Sequence, residues 1–243
     1  MKKNNNSHGQ SIDLELLKTI EQKLDDVMEL IDTDIIKNKL VQVEKEFENE
    51  PNEINKTRLG ILYHEVALNL SFLSKTEYKG YAKKSFDQLT ELFISDEITK
   101  ELMPFIAPYR ASALSLVVAE TNKLKFLGQS FDLFEEAVRK YSNISPLPEF
   151  MRGSVAENLP WFFFGKRKYA KKDFQSIIDK YEKNQDYVNW KVISFTYWAW
   201  AKQHQGKKYR EQALKYLEKA IKLDPEFKAG RKRAEELKSK LAN

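Results

Sequence analysis

Three histidines, eight glycines and no cysteine restrict the chemistry that this 243-residue chain can assemble from short motifs. His64-Glu65 has the opening of a helical zinc-protease motif, but position 68 is Leu where a second histidine would have to stand one turn on. His8 and His204 stand apart from any second ligand, and a lone helical histidine reads as structural or exposed. Ser154 follows Gly153 without the further glycine of a nucleophile elbow, and the glycines never gather into a phosphate-cradling or dinucleotide-binding loop. Without a thiol there is no disulfide framework and no thiol chemistry. The expectation is therefore no catalytic residue, no metal and no cofactor. An enzyme would require folding to bring together distant carboxylates.

Two constellations are more distinctive. In Leu159-Pro160-Trp161-Phe162-Phe163-Phe164-Gly165-Lys166-Arg167-Lys168-Tyr169, four consecutive aromatics precede a basic turn. Four in a row cover every side of a helix, so the run reads either as a buried junction or as an aromatic-lined pocket with a basic rim, near Trp161 and Arg152. Pro160, if helical, would remove a backbone bond and bend the helix. The second constellation is Trp190, Tyr197, Trp198 and Trp200 within one helical segment; exposed Trp and Tyr are the side chains that make binding hot spots.

About eleven helices must position these residues. Leu17, Ile20, Leu24, Val27 and Ile31 form a stripe at alternating three and four, behind Ser11 as a candidate cap. Ile35, Ile36, Leu40, Val43 and Phe47 form a second stripe, broken by Glu50-Pro51-Asn52. Further helices are expected near 54–74 and 77–95, from a join at Pro104 and Pro108 to about 127, then near 129–141, 149–164, 167–183, 187–205, 207–223 and 226–242. No stretch shows sustained period-two alternation, so the reading contains no sheet.

Internal similarity organises these helices. Tyr81-Ala82-Lys83-Lys84-Ser85-Phe86 recurs as Tyr169-Ala170-Lys171-Lys172-Asp173-Phe174, and Ala82, Ser130, Ala170 and Ala213 serve as successive anchors 48, 40 and 43 residues apart. Near the end, Phe195, Trp198 and Ala199 are followed by Gly206, then by Ala213, Leu217, Ala220 and Pro225. Small residues at such spacing let two helices approach to about 8–10 Å, and a bulky residue at Ala213 would cost about 1–3 kcal/mol through overpacking.

This pattern resembles the tetratricopeptide repeat, from roughly residue 77 to 225; Gly206 departs from it, standing seven residues before Ala213 where the pattern has five. Tyr109-Arg110-Ala111-Ser112-Ala113 and Arg152-Gly153 with Leu159-Pro160-Trp161-Phe162 make the chain similar to bacterial repeat proteins of that class with no assigned activity. The resemblance implies an all-α, antiparallel helix-pair solenoid with degenerate repeats. The residues themselves add a disordered tail at 1–10 and an N-terminal helical hairpin at 11–50, ahead of degenerate repeats over 54–225 and a polar capping helix at 226–243. The resemblance also implies a concave groove lined by Thr196, Tyr197, Trp200 and Gln203, which would hold a protein or peptide partner. The lysine/asparagine clamp by which some such domains hold chaperone tails is not carried over, because Thr196 and Trp200 stand at two of its positions.

Charge is uneven: 22 Lys+Arg against 11 Asp+Glu from residue 151 onward, but 19 against 25 before it. The basic half could steer an acidic partner, a phosphate-rich ligand or a membrane surface, and reads more plainly as a solvated lysine-rich exterior. A small-molecule or transport-accessory role near Trp161 is the alternative to peptide binding. Base-stacking aromatics interleaved with lysines on one face are not evident, which counts against nucleic acid. No apolar run reads as a membrane span. The polar Asn4 to Gln10 stretch after Met1-Lys2-Lys3 argues for a cytoplasmic protein, or a periplasmic or surface-anchored one if an export signal is missing. Oligomeric state is left open.

Overall fold

Eleven α-helices and four short 3₁₀ turns, with no strand, make up the described residues of the computed structural model: 12–242 apart from 72, 75 and 227–229. The expected tail at 1–10, the Ser11 cap and Phe227 lie outside them.

Helix α1 (Leu14–Leu24) is capped by Asp13, whose carboxylate accepts from Glu15 N at 2.9 Å and Leu16 N at 3.2 Å. Asp32 caps α2 (Thr33–Asn49) and Asn52 caps α3 (Glu53–Asn69) in the same way. Then follow α4 (Tyr81–Phe93), α5 (Met103–Thr121), α6 (Lys125–Tyr141), α7 (Leu147–Asn158), α8 (Phe164–Lys183), α9 (Trp190–Gln203), α10 (Arg210–Leu223) and α11 (Arg231–Ala242). Neighbours in sequence pack as neighbours in space from α2 onward: α2 on α3, α3 on α4, α5 on α6, α7 on α8, α9 on α10, and α11 on α10.

The repeat is sharper in the fold than in the sequence. One stripe recurs on four second helices: Ala82, Ser85, Leu89; Leu127, Ser130, Phe134; Ala170, Asp173, Ile177; Ala213, Tyr216, Ala220, all buried. Its period is 45, 43 and 43 residues, so the anchor of the second unit is Leu127 and not Ser130. Ser130 is the counterpart of Ser85. Both hydroxyls donate to a carbonyl of a small residue on the preceding helix, Ser85 to Gly60 O at 2.7 Å and Ser130 to Ala111 O at 2.8 Å. In the third unit Asp173 takes this place and accepts from Arg152. The close approach is real at Gly60, where an added Cβ would stand 2.7 Å from Leu89 Cδ2.

Two prolines behave differently from expectation. Pro104 and Pro108 do not mark a join: Pro104 lies in the first turn of α5, and Pro108 sits inside the helix, where only one early backbone bond is lost. The helix stops at Thr121, short of 127, because Asn122 adopts the left-handed conformation, with φ 57°. By length and composition the stretch Lys100–Thr121 is apolar enough to cross a bilayer, which the sequence reading did not credit; 67% of its apolar window is buried inside the fold. Its apolarity on every side follows from its neighbours: α3, α4, α6 and α7 all pack against α5.

Helix α1 does not lie along α2. It rests on α3 and on the 3₁₀ turn Lys100–Leu102, burying Leu17, Ile20 and Leu24. Beyond it, Val27 and Met28 are buried too, and the segment reaches α9: Asn189 Nδ2 donates to Glu21 at 3.3 Å and Lys191 Nζ pairs with Asp25 at 3.0 Å.

Candidate functional site

The α9 face expected to be open is closed. Tyr197 is 1% and Trp200 5% exposed, and Thr196 is fully buried. Tyr197 packs on Tyr216 of α10, with ring centroids 4.8 Å apart. Trp200 donates Nε1–H to Gln175 Oε1 at 2.6 Å and stacks on His204 at 4.0 Å. The reason is a register offset of two residues. The buried bulky–bulky–small trio is Tyr197, Trp200 and Ala201, not Phe195, Trp198 and Ala199; Ala199 is buried as expected, but Phe195 and Trp198 are only partly so. Both trios have the same spacing, so periodicity alone cannot choose between them.

The face that α9 turns away from α10 therefore carries Phe195, Trp198 and Lys202. Arg233 of α11 lies over the Phe195 ring at 4.7 Å and the Trp198 ring at 4.5 Å. Lys202 pairs with Glu157 of α7 at 3.0 Å and also lies over Trp198. Burial holds the Arg233 guanidinium below its usual range, against the pull of Glu157 and Glu29. Gln203 stands next to this surface. Its amide nitrogen and oxygen are buried without a hydrogen-bond partner, as is Ser154 Oγ on α7.

Arg152 and Trp161 do not share a pocket. Arg152 is buried and forms a two-pronged pair with Asp173, Nε to Oδ2 at 2.8 Å and Nη2 to Oδ1 at 2.7 Å, with its guanidinium 4.3 Å over Tyr169. Burial opposes its charge, yet the Asp173 carboxylate outweighs that and holds Arg152 above its usual range. Trp161 is 81% exposed. Pro160, with ψ 151°, takes the chain out of α7 into a 3₁₀ turn, so the aromatic run is neither helical up to 164 nor buried. An enclosed aromatic pocket at Trp161 is not what forms.

A buried polar chain in the first half has the connectivity of a nucleophile, a base and its orienting acid. His64 Nε2 is 2.7 Å from Ser112 Oγ, and His64 Nδ1 is 3.4 Å from Glu65 Oε1. All three side chains are buried, and Ser112 sits mid-helix, where its own backbone N–H is committed to α5 and offers no oxyanion donor. The arrangement is a satisfied core network. Tyr109 extends it, its hydroxyl 3.2 Å from Glu29 Oε1 and 3.4 Å from Glu65 Oε1. Desolvation first, and the Glu65 carboxylate second, push Glu29 up to about 8. Glu29 also holds a positive φ of 56°. Sequence reading missed this cluster because residues 29, 65 and 109 share no motif spacing.

A shallow cleft of about 700 Å³ lies between α1, α2 and α3, lined by Asp26, Glu46, Glu53 and Arg58 among others. Arg58 already bridges Asp26 and Glu46 there, so the cleft is an intramolecular ionic seam. Among the described residues no group of three or more His, Cys, Asp or Glu could hold a metal ion.

No family model matches this chain, and neither any curated protein nor any solved structure is significantly similar to it.

Proposed function

We propose that the chain is a non-catalytic scaffold of the tetratricopeptide kind, whose inner helix faces hold a peptide or protein segment of a partner. The observation that carries this reading is α1. Eleven residues long, it and the residues after it are held from three places in the chain: by α3, by the 3₁₀ turn ahead of α5 through Glu101, which accepts from Asp13 N at 2.8 Å, and by α9 at Asn189 and Lys191. A surface that seats one amphipathic helix across several repeats is built to recognise such a segment. The part of it that would meet a partner is the aromatic and cationic face of Trp198, Lys202 and Arg233, backed by Phe195, which packs on Phe150 and Phe174, with Glu157 and Gln203 at its edge. Half-buried Trp and Arg in contact are the combination that dominates binding energy when water is excluded.

The test starts from a photoreactive residue at position 198, which should capture a partner segment where the same residue at exposed position 94 does not. The purified partner should then bind Trp198→Ala at least about tenfold more weakly than the parent chain, by calorimetry. Equal affinity for parent and variant would remove this face from the reading.

A further inference from the structure

Trp161 and Phe164 are 81% and 80% exposed, and Phe162 between them is 54% exposed. Such a cluster has no role inside the fold. Yet the loop that carries it is fixed: Arg167 donates to the carbonyls of Glu157 and Leu159, and partly buried Phe163 roots the cluster on the core. Trp161 packs edge-on against Phe162 at 6.0 Å and Phe162 against Phe163 at 4.7 Å, so the rings form one compact apolar knob.

A collar of positive charge surrounds the knob. Lys166, Arg167, Lys168, Lys171 and Lys172 follow it, and no acidic residue lies between Glu157 and Asp173. The same end of the molecule gathers two more basic loops. Lys202 in the last turn of α9 pairs with Glu157 in the last turn of α7 at 3.0 Å, which sets the α9–α10 turn, with Lys207 and Lys208, at the same end as the α7–α8 loop. Lys166 lies 5.0 Å over the Phe131 ring of α6, whose first turn carries Lys125 and follows Lys123 and exposed Leu124. From 187 to 210 the chain again contains no acid.

We infer that this end docks on the surface of an anionic phospholipid bilayer. Trp161, Phe162 and Phe164 enter the head-group boundary, and the lysines lie against the phosphates. Charge complementarity selects this occupant over an apolar protein surface, which the lysine collar would leave unsatisfied. Ring geometry selects it over single-stranded nucleic acid: at 82° and 43° to one another, the packed rings do not present the separate parallel faces on which successive bases stack. The surface adjoins the face proposed to hold a peptide at Glu157 but uses other side chains, Trp161, Phe162, Phe164 and the lysines that follow them.

The experiment is co-sedimentation of the full chain with vesicles of phosphatidylcholine alone and of an equal mixture of phosphatidylcholine and phosphatidylglycerol. Binding to the mixed vesicles, little to the neutral ones, and a loss of binding as salt rises are expected. Trp161→Ser/Phe162→Ser/Phe164→Ser should reduce partitioning at least about tenfold with no fall in thermal midpoint, since these side chains are exposed. Lys168→Glu/Lys171→Glu should reduce it on the anionic vesicles alone. Equal partitioning of the parent and both variants overturns the proposal. So does binding of an oligothymidylate, or formation of a dimer, that depends on the three aromatics while vesicles are ignored.

Discussion

Glu29 is the residue whose titration reaches the whole fold. Its carboxyl, about 8 in the folded chain against an ordinary 4.5, binds its proton more tightly folded than unfolded. Stability from this group is full below about 4.5 and is lost as pH rises through about 8. Glu29→Gln, which keeps the shape without the charge, should raise the thermal midpoint at pH 8.5, by on the order of 1–3 kcal/mol of stability, with the gain vanishing near pH 5. A gain independent of pH would mean that Glu29 ionises freely. Asp173 is also pushed up by burial, against the pull of Arg152, but the consequence of removing it is the reverse. Removing it leaves the Arg152 guanidinium buried and unpaired, so Asp173→Ala should cost about 3–5 kcal/mol by urea denaturation. Neither role was legible in the sequence: Asp173 reads there as a variant of Ser85, and the Arg152 partner lies 21 residues away.

At the level of elements, most helices could be read from periodicity, since α1, α4, α6 and α10 each bury a clean stripe. What failed was rotation and termination. Helix α9 is apolar on more than one side, so two registers fit it equally, and only its packing on α10 and α8 selects the one that seals Tyr197 and Trp200. The helix read over 149–164 treated Pro160 as a bend within it, whereas the chain leaves α7 ahead of the proline and re-enters a 3₁₀ turn after it. The helix-pair contacts give a paired prediction. Gly60→Ala should destabilise by about 1–3 kcal/mol, as the new Cβ strikes Leu89, while Gly128→Ala on the open face of α6 should stabilise by about 0.5–1 kcal/mol. Chemical denaturation of both separates close packing from helix propensity; equal signs would place no contact at Gly60.

For the molecule as a whole, the excess of 22 basic over 11 acidic residues from 151 onward was plain in the composition, but not that part of it would gather at one end beside exposed rings. Nor was the bridge from α1 to α9 legible, since residues 21 and 189 share nothing but complementary side chains. That bridge alters how the chain should come apart. An array that touches only adjacent units frays from either terminus and can shed one unit at a time. Here a clasp joins residues separated by 166 and 168 positions, so the first segment is tied to a helix far along an otherwise neighbour-to-neighbour stack. Lys191→Glu, which turns the clasp repulsive, should speed amide exchange in α1 and α9 together and broaden the melting transition; exchange confined to α9 would show that each end lets go alone.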